Sequence, residues 1–232
     1  MVDKIVAYER EPVPGDWNAR HVFVADQIDV AGNFKRDLEE AYAAFIRDPW
    51  AGVRIYRDDL PASVARENIL AAWQRGALLI SYMGHSSYHQ WSEDVLLHVS
   101  DVPALQNGQR LPVMLSMTCF TGFFHHPEYG TLDEELVRHQ EGGAIGAVGS
   151  SGLGLQSGHR RLHQGFYRVA LADGTVQFGR AVVAAKLDLH AQTDAYDELL
   201  DTYHLFGDPA MALNKTLRGW PHSSFAPVII NQ

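Results

Sequence analysis

Three stretches of this chain, Ala77 to Met83, Pro112 to Thr118 and Ala144 to Val148, are apolar almost without a break. A strand wetted on one face alternates apolar and polar residues, whereas a strand covered on both faces has no need to. Between these runs lie segments with apolar residues at helical spacing, such as Phe34, Leu38, Tyr42, Phe45 and Ile46. Shorter strands are read at 21–25, 53–56 and near 202–206. Helices are read over 34–47, 63–73 with Ser63 as the cap, 131–140, 159–172 and 178–191. Strands and helices in alternation, around strands that are apolar throughout, predict an α/β fold: a mainly parallel sheet with helices on both faces.

At 232 residues and 46% hydrophobic, the chain is long enough and apolar enough for one large domain with a real core. Residues 1–10 read as a helix, and Pro12, Pro14 and Gly15 then break the chain. The organisation expected is therefore a helix and linker over 1–15, the remnant of an upstream part, followed by one domain over 16–232. With 19 basic against 28 acidic groups, a net charge of -9 disfavours binding to a phosphate backbone. No run approaches the roughly 18 apolar residues of a membrane span, and Met1-Val2-Asp3-Lys4 does not have the form of a signal peptide. The single cysteine, Cys119, excludes an internal disulfide and a cysteine-based zinc site.

Parallel strands joined by crossovers present their carboxyl ends along one edge of the sheet, where ligands of such folds bind. Three reactive side chains fall at predicted strand ends: Asp26, His85 and Cys119. Adjacent strands lie about 4.8 Å apart, so neighbouring ends can converge on one substrate atom. A thiol is a weak nucleophile until a base takes its proton; an imidazole can do so and then protonate a leaving amine. An acid beyond the imidazole would fix its tautomer. The ordinary reading of a lone cysteine is a small core residue. Cys119 differs in leaving the apolar run and being followed by Thr121-Gly122, while His85 stands between Gly84 and Ser86-Ser87.

These residues carry a resemblance. Ile80 to Ser86 resembles the Tyr-x-Gly-His-Gly block of the gingipain family of cysteine peptidases, and Leu111 to Gly122 resembles that family's nucleophile block. Tyr203-His204-Leu205-Phe206-Gly207-Asp208-Pro209-Ala210 is similar to its closing signature. The three blocks stand in the family's order over about residues 20–213. The resemblance implies a caspase-like three-layer fold, a dyad of Cys119 and His85, and peptide cleavage through a thioester acyl-enzyme without a cofactor. It implies an acid in the position of Asp26 to orient the ring, with Asp29 as a second candidate. The main-chain N–H groups of Cys119 and Ser86 would hold the oxyanion. Where arginine-specific members grip a basic side chain, this chain has Asn33, with Asp37 displaced. Pocket walls fall on Met83, Met117 and the segment from Leu155 and Gln156 to Gly158, so the pocket expected is apolar. By the same resemblance the partners are a protein or peptide substrate and an upstream subdomain of one precursor, and the location is secreted or cell-surface. Two other functions share this fold: a sortase-like transpeptidase, and a caspase-like binding module without catalysis.

The remaining motifs are weaker. Gly149 to Gly154 follows a strand as a phosphate loop would, but Ser157 stands where the third glycine belongs, which favours a substrate-lining loop. His159 and His163 share a helix face at ligand spacing, yet Arg160-Arg161 between them favours a solvated face. His125-His126-Pro127-Glu128 reads as a surface loop past the nucleophile that could line the cleft. The acidic run from Asp194 to Asp201 reads as solvated.

Overall fold

A computed structural model describes residues 1–171 and 176–215; residue 172 of the fifth helix read from the sequence, and residues 216–232 of the expected domain, lie outside the described residues. Strands β1 (Arg20–Ala25), β2 (Ala51–Tyr56), β3 (Leu79–Met83), β6 (Val113–Met117), β7 (Gly146–Ser150) and β8 (Tyr203–Phe206) form one sheet in the order β2-β1-β3-β6-β7-β8. All neighbours are parallel except β7 and β8, so the expected mainly parallel sheet is present. A small antiparallel pair, β4 (Gln90–Trp91) and β5 (Leu97–His98), stands apart from it.

Side chains of successive residues leave opposite faces of a strand, and here both faces are buried. Phe23, Ala25, Met83, Leu115 and Met117 pack against helices α2 (Phe34–Phe45), α5 (Gln156–Ala170) and α6 (Phe178–Gln192). Val22, Val24, Ile80, Tyr82 and Met114 face helices α3 (Ala62–Arg75) and α4 (Leu132–Arg138). This two-sided burial explains the unbroken apolar runs. Helix α1 (Val2–Arg10) lays Ile5 and Tyr8 on the first of these cores, and a short α7 (Glu198–Thr202) leads into β8.

Three details differ from the sequence reading. The N-cap of α3 is Pro61, not Ser63, which lies inside the first turn. The third apolar run forms its strand over 146–150: the Ala144 N–H is still bonded to Leu136 of α4, and the Ile145 N–H to Pro112 just ahead of β6. His159 and His163 are buried at 3% and 0% exposure, not solvated: the arginines between them turn outward while the i, i+4 face turns to the sheet.

From β1 the chain crosses over to β2 on one side, and from β2 it crosses back past β1 to β3 on the other, before moving on to β6 in that same direction. The loops after β1 and β3 therefore part, and the crevice they leave is the place where such sheets bind ligands.

Candidate active site

Strands β3 and β6 run side by side with Met83 opposite Met117, so continuing the register sets His85 opposite Cys119. The two ends are stitched together beyond the ladder. The Thr118 hydroxyl donates to the Gly84 carbonyl at 2.6 Å, and the Ser86 hydroxyl donates to the Cys119 carbonyl. Gly84 has no room for a side chain, because a Cβ there would overlap the Asp26 side chain and the Tyr82 hydroxyl.

The carboxylate on the imidazole is Asp29: its Oδ2 lies 2.8 Å from His85 Nε2. This corrects the expectation that Asp26 orients the ring, and parity supplies the reason. Residues 83, 115 and 117 face α2 and α5, and His85 stays on that side with its ring edge-on to Phe34 at 5.5 Å. Asp26 continues the other face, with Val22, Val24 and Tyr82. Its buried carboxylate instead accepts from the Ser92 hydroxyl at 2.8 Å, the Gln27 N–H at 2.8 Å and the His85 main-chain N–H at 3.2 Å. Asp26 thus holds the backbone of the histidine loop, while Asp29, three residues on, reaches the ring.

Asp29 is set by its own turn, accepting from the Ala31 N–H at 2.8 Å and donating its N–H to the Gly32 carbonyl. Partial desolvation opposes ionisation, but the Ala31 N–H and the His85 ring outweigh it and hold the carboxyl below its ordinary range. With Nε2–H donated to Asp29, Nδ1 is left as the nitrogen that exchanges a proton. Cys119 is half-buried; burial pushes its thiol up from the ordinary value, a main-chain hydrogen bond of Gly154 opposing this in part, and Sγ lies 3.8 Å from the Gly154 carbonyl oxygen. The main-chain N–H groups of Cys119 and Ser86 have no acceptor among the described residues. Ser86 sits opposite Trp91 in a bridge whose bonds run through Ser87 and Ser92, which leaves its own N–H unspent.

The expected pocket residues fare differently. Asn33 caps α2, its side chain accepting from the Arg36 N–H at 2.8 Å. Asp37 is fully buried in α2, where burial pushes its carboxyl up against the pull of Arg36. Met83 and Met117, expected as pocket walls, are core residues at 0% and 1% exposure, packed in the core under α2 and α5. Leu155 is exposed, and Gln156, the first residue of α5, packs against Gly32 of the Asp29 loop. The sequence reading missed the Gly154 carbonyl, since a main-chain acceptor leaves no mark in a sequence. It also missed an aromatic group on the α4 side, where the rings of Tyr88 and Phe123 stack at 4.9 Å and Phe120 meets Tyr88 edge-on at 5.5 Å. His126 of the loop past the nucleophile joins that group. Among the described residues no set of three or more His, Cys, Asp or Glu is placed to hold a metal ion.

The profile of peptidase family C25 matches residues 1–214. Among solved structures, the Arg-specific cysteine proteinase gingipain R (RgpB) superposes with a TM-score of 0.77 at 19% identity, over 91% of this chain and 51% of that one. The complex of Porphyromonas gingivalis RgpB pro- and mature domains gives a TM-score of 0.77 at 18% identity, over 91% of this chain and 52% of the other. At such identities the likeness is one of fold, and the chain spans about half the length of each. No curated protein matches it.

Proposed function

Because the chain belongs to peptidase family C25, the gingipain family, we propose that it is a cysteine endopeptidase working through Cys119 and His85, with Asp29 as the orienting acid. The observation that carries this reading is the 2.8 Å Asp29–His85 pair on the strand end stitched to that of Cys119. Cys119 Sγ attacks the peptide carbonyl as His85 Nδ1 takes the thiol proton. Burial keeps the thiol protonated at rest, so proton removal accompanies attack and no ion pair need exist beforehand. The Ser86 and Cys119 N–H groups accept the charge developing on the carbonyl oxygen. The imidazolium, held by Asp29, returns its proton to the leaving amine. Water, deprotonated by the same nitrogen, then hydrolyses the thioester and frees Sγ.

We assign an apolar rather than a basic side chain to the substrate. The acids near the cleft are committed, Asp29 to His85 and Asp37 to the interior of α2, and Asn33 is committed to its cap. The loops flanking the dyad instead expose Ile28, Leu153 and Leu155. No helix among the described residues is long and apolar enough to cross a membrane. The chain is tested on an unbiased peptide library, where wild type is expected to cut beside apolar residues and Cys119→Ala to cut nothing. Cleavage by the alanine variant at the wild-type rate overturns the assignment of the nucleophile; a preference for arginine or lysine overturns the assignment of the substrate.

A further inference from the structure

We propose that Asp133 is a positioning residue for the nucleophile, its buried carboxylate pinning the turn that carries Cys119; the inference rests on the peptidase reading. Asp133 is the second residue of α4 and has no exposed surface. Its Oδ1 accepts from the Ser116 hydroxyl at 2.6 Å and its Oδ2 from the Thr121 hydroxyl at 2.9 Å. Its own N–H donates to the Thr121 carbonyl at 3.2 Å. Ser116 and Thr121 straddle Cys119, so one carboxylate holds the chain on both sides of the sulfur. From β8, the buried Tyr203 hydroxyl points between the carbonyls of Ser116 and Thr118, at 3.2 and 3.3 Å.

What these groups hold is strained. Thr121 N–H closes a three-residue turn on the Cys119 carbonyl at 2.8 Å, and the central residue, Phe120, has φ of 58°. A bulky side chain in the left-handed region, in a turn this tight, is rare and persists only where its surroundings over-determine it. That turn sets the direction of the Cys119 side chain and of its N–H. Gly149 on β7 completes the device: a Cβ there would overlap the Asp133 carboxylate, so the glycine keeps space for it.

The fold alone does not call for a charge at this place. Burial pushes the Asp133 carboxyl up to about 6 against the pull of its two hydroxyl donors, so at neutral pH an ionised group sits in the interior, where a neutral group of the same shape is the more stable choice. The titratable groups that bear on it are Glu134 on the same helix and Tyr203 on β8; β7 brings none, and Asp101, in the turn preceding β6, is paired with Arg66.

The test measures kcat, KM, melting temperature and iodoacetamide alkylation of the single cysteine between pH 5 and 8, in wild type, Asp133→Asn and Gly149→Ala. Asparagine keeps the volume but turns one acceptor into a donor. It is expected to raise the melting temperature at pH 7.5 while lowering kcat about tenfold or more with KM within about twofold, as a displaced nucleophile does. Gly149→Ala, which leaves Asp133 in the chain but evicts its carboxylate, is expected to lower kcat likewise, and both variants are expected to alter the alkylation rate. Wild-type kcat and alkylation in both variants overturn the proposal. So does a parallel fall of kcat and melting temperature in Asp133→Asn, which is the mark of a merely structural role. A wild type that cuts no peptide, yet whose alkylation responds to both substitutions, rejects the peptidase reading and leaves the positioning role standing.

Discussion

In the mechanism proposed, the sulfur that attacks must be reachable and the base that serves it must be held, and the two demands fall on different residues. Cys119 is half-buried, and burial raises its thiol above the ordinary value. Its thiolate fraction at pH 7 is thus below the few per cent of a free cysteine. Iodoacetamide alkylation is accordingly expected to be slow at neutral pH and still rising above pH 9; a plateau near pH 7 would mean a preformed ion pair instead. The two acids near His85 separate by position. Asp29→Asn removes the negative charge facing Nε2 and is expected to lower kcat about tenfold to a hundredfold, part of the roughly 10² to 10⁴ that acid–base catalysis supplies, with little change in urea midpoint because the pair is well exposed. Asp26→Asn, inside a buried network with Ser92 and the His85 N–H, is expected to shift the urea midpoint downward; the reverse pattern would restore Asp26 as the orienting acid. That the β3 and β6 ends carry His85 and Cys119 side by side is legible in the sequence from the two apolar runs that precede them, whereas Ser86 is singled out by the resemblance alone. A position at the end of a strand does not by itself point a side chain at the cleft: Asp26 continues the face of Val22 and Val24, which it shares with Tyr82, away from the imidazole. Met83 and Met117 do share the face of His85 and Cys119, but two residues back along their strands they lie inside the ladder, covered by the α2–α5 core.

At the scale of elements, what the sequence shows best is whatever burial writes into it. Strands covered on two faces read clearly, whereas the Gln90–Trp91 and Leu97–His98 pair, only two residues a strand, is too short to set a period. Helix α5 was placed correctly but turned the wrong way, since two arginines outweighed two histidines in judging its face. His163 in fact reaches the Ser81 hydroxyl at 2.8 Å, and His159 lies against Tyr203 at 5.6 Å between ring centres. Burial lowers His159 to about 4, and His163 and His21 each to about 3. Each is neutral in the folded chain but takes a proton once unfolded below about pH 6.5, so its stability contribution is whole above that pH and drains as pH falls, by about 3 kcal/mol per group at pH 4. Asp133, raised to about 6, acts oppositely: protonation relieves it, and the fold gains at most about 3 kcal/mol between pH 6 and 4. Three groups outweigh one. Urea midpoints are therefore expected to fall steadily from pH 6.5 to 4, and His163→Asn to flatten that slope; a midpoint rising over this range would show that the buried carboxylate dominates.

For the whole molecule, the question is what closes a sheet whose outer strands, β2 and β8, are each paired on one side only among the described residues. Helix α1 is far from both sheet edges in sequence yet is tied into the body at three places. The Lys4 ammonium donates to the carbonyls of Val137, His139 and Gly142, at 3.3, 2.7 and 2.7 Å, and so satisfies main-chain acceptors at and just beyond the C-terminal end of α4. Ile5 and Tyr8 bury their side chains in the α2–α5–α6 core, and the Tyr8 hydroxyl accepts the Asn214 N–H at 3.1 Å. The Glu9 carboxylate accepts the Ala212 N–H at 2.9 Å. Burying Ile5 and Tyr8 alone contributes about 1.5–3 kcal/mol each, a large share of the roughly 5–15 kcal/mol that holds a domain. Because α4 carries Asp133 at its other end, loosening its C-terminal carbonyls reaches the nucleophile turn through one rigid helix of two turns. Removing residues 1–10 is thus expected to lower the urea midpoint strongly, and Lys4→Met, which keeps the aliphatic stem and drops the ammonium, to lower it by less while reducing kcat with KM unchanged. A truncated chain with the wild-type midpoint would show instead that α1 only rests on the surface, and the three carbonyls it covers would then have to find water.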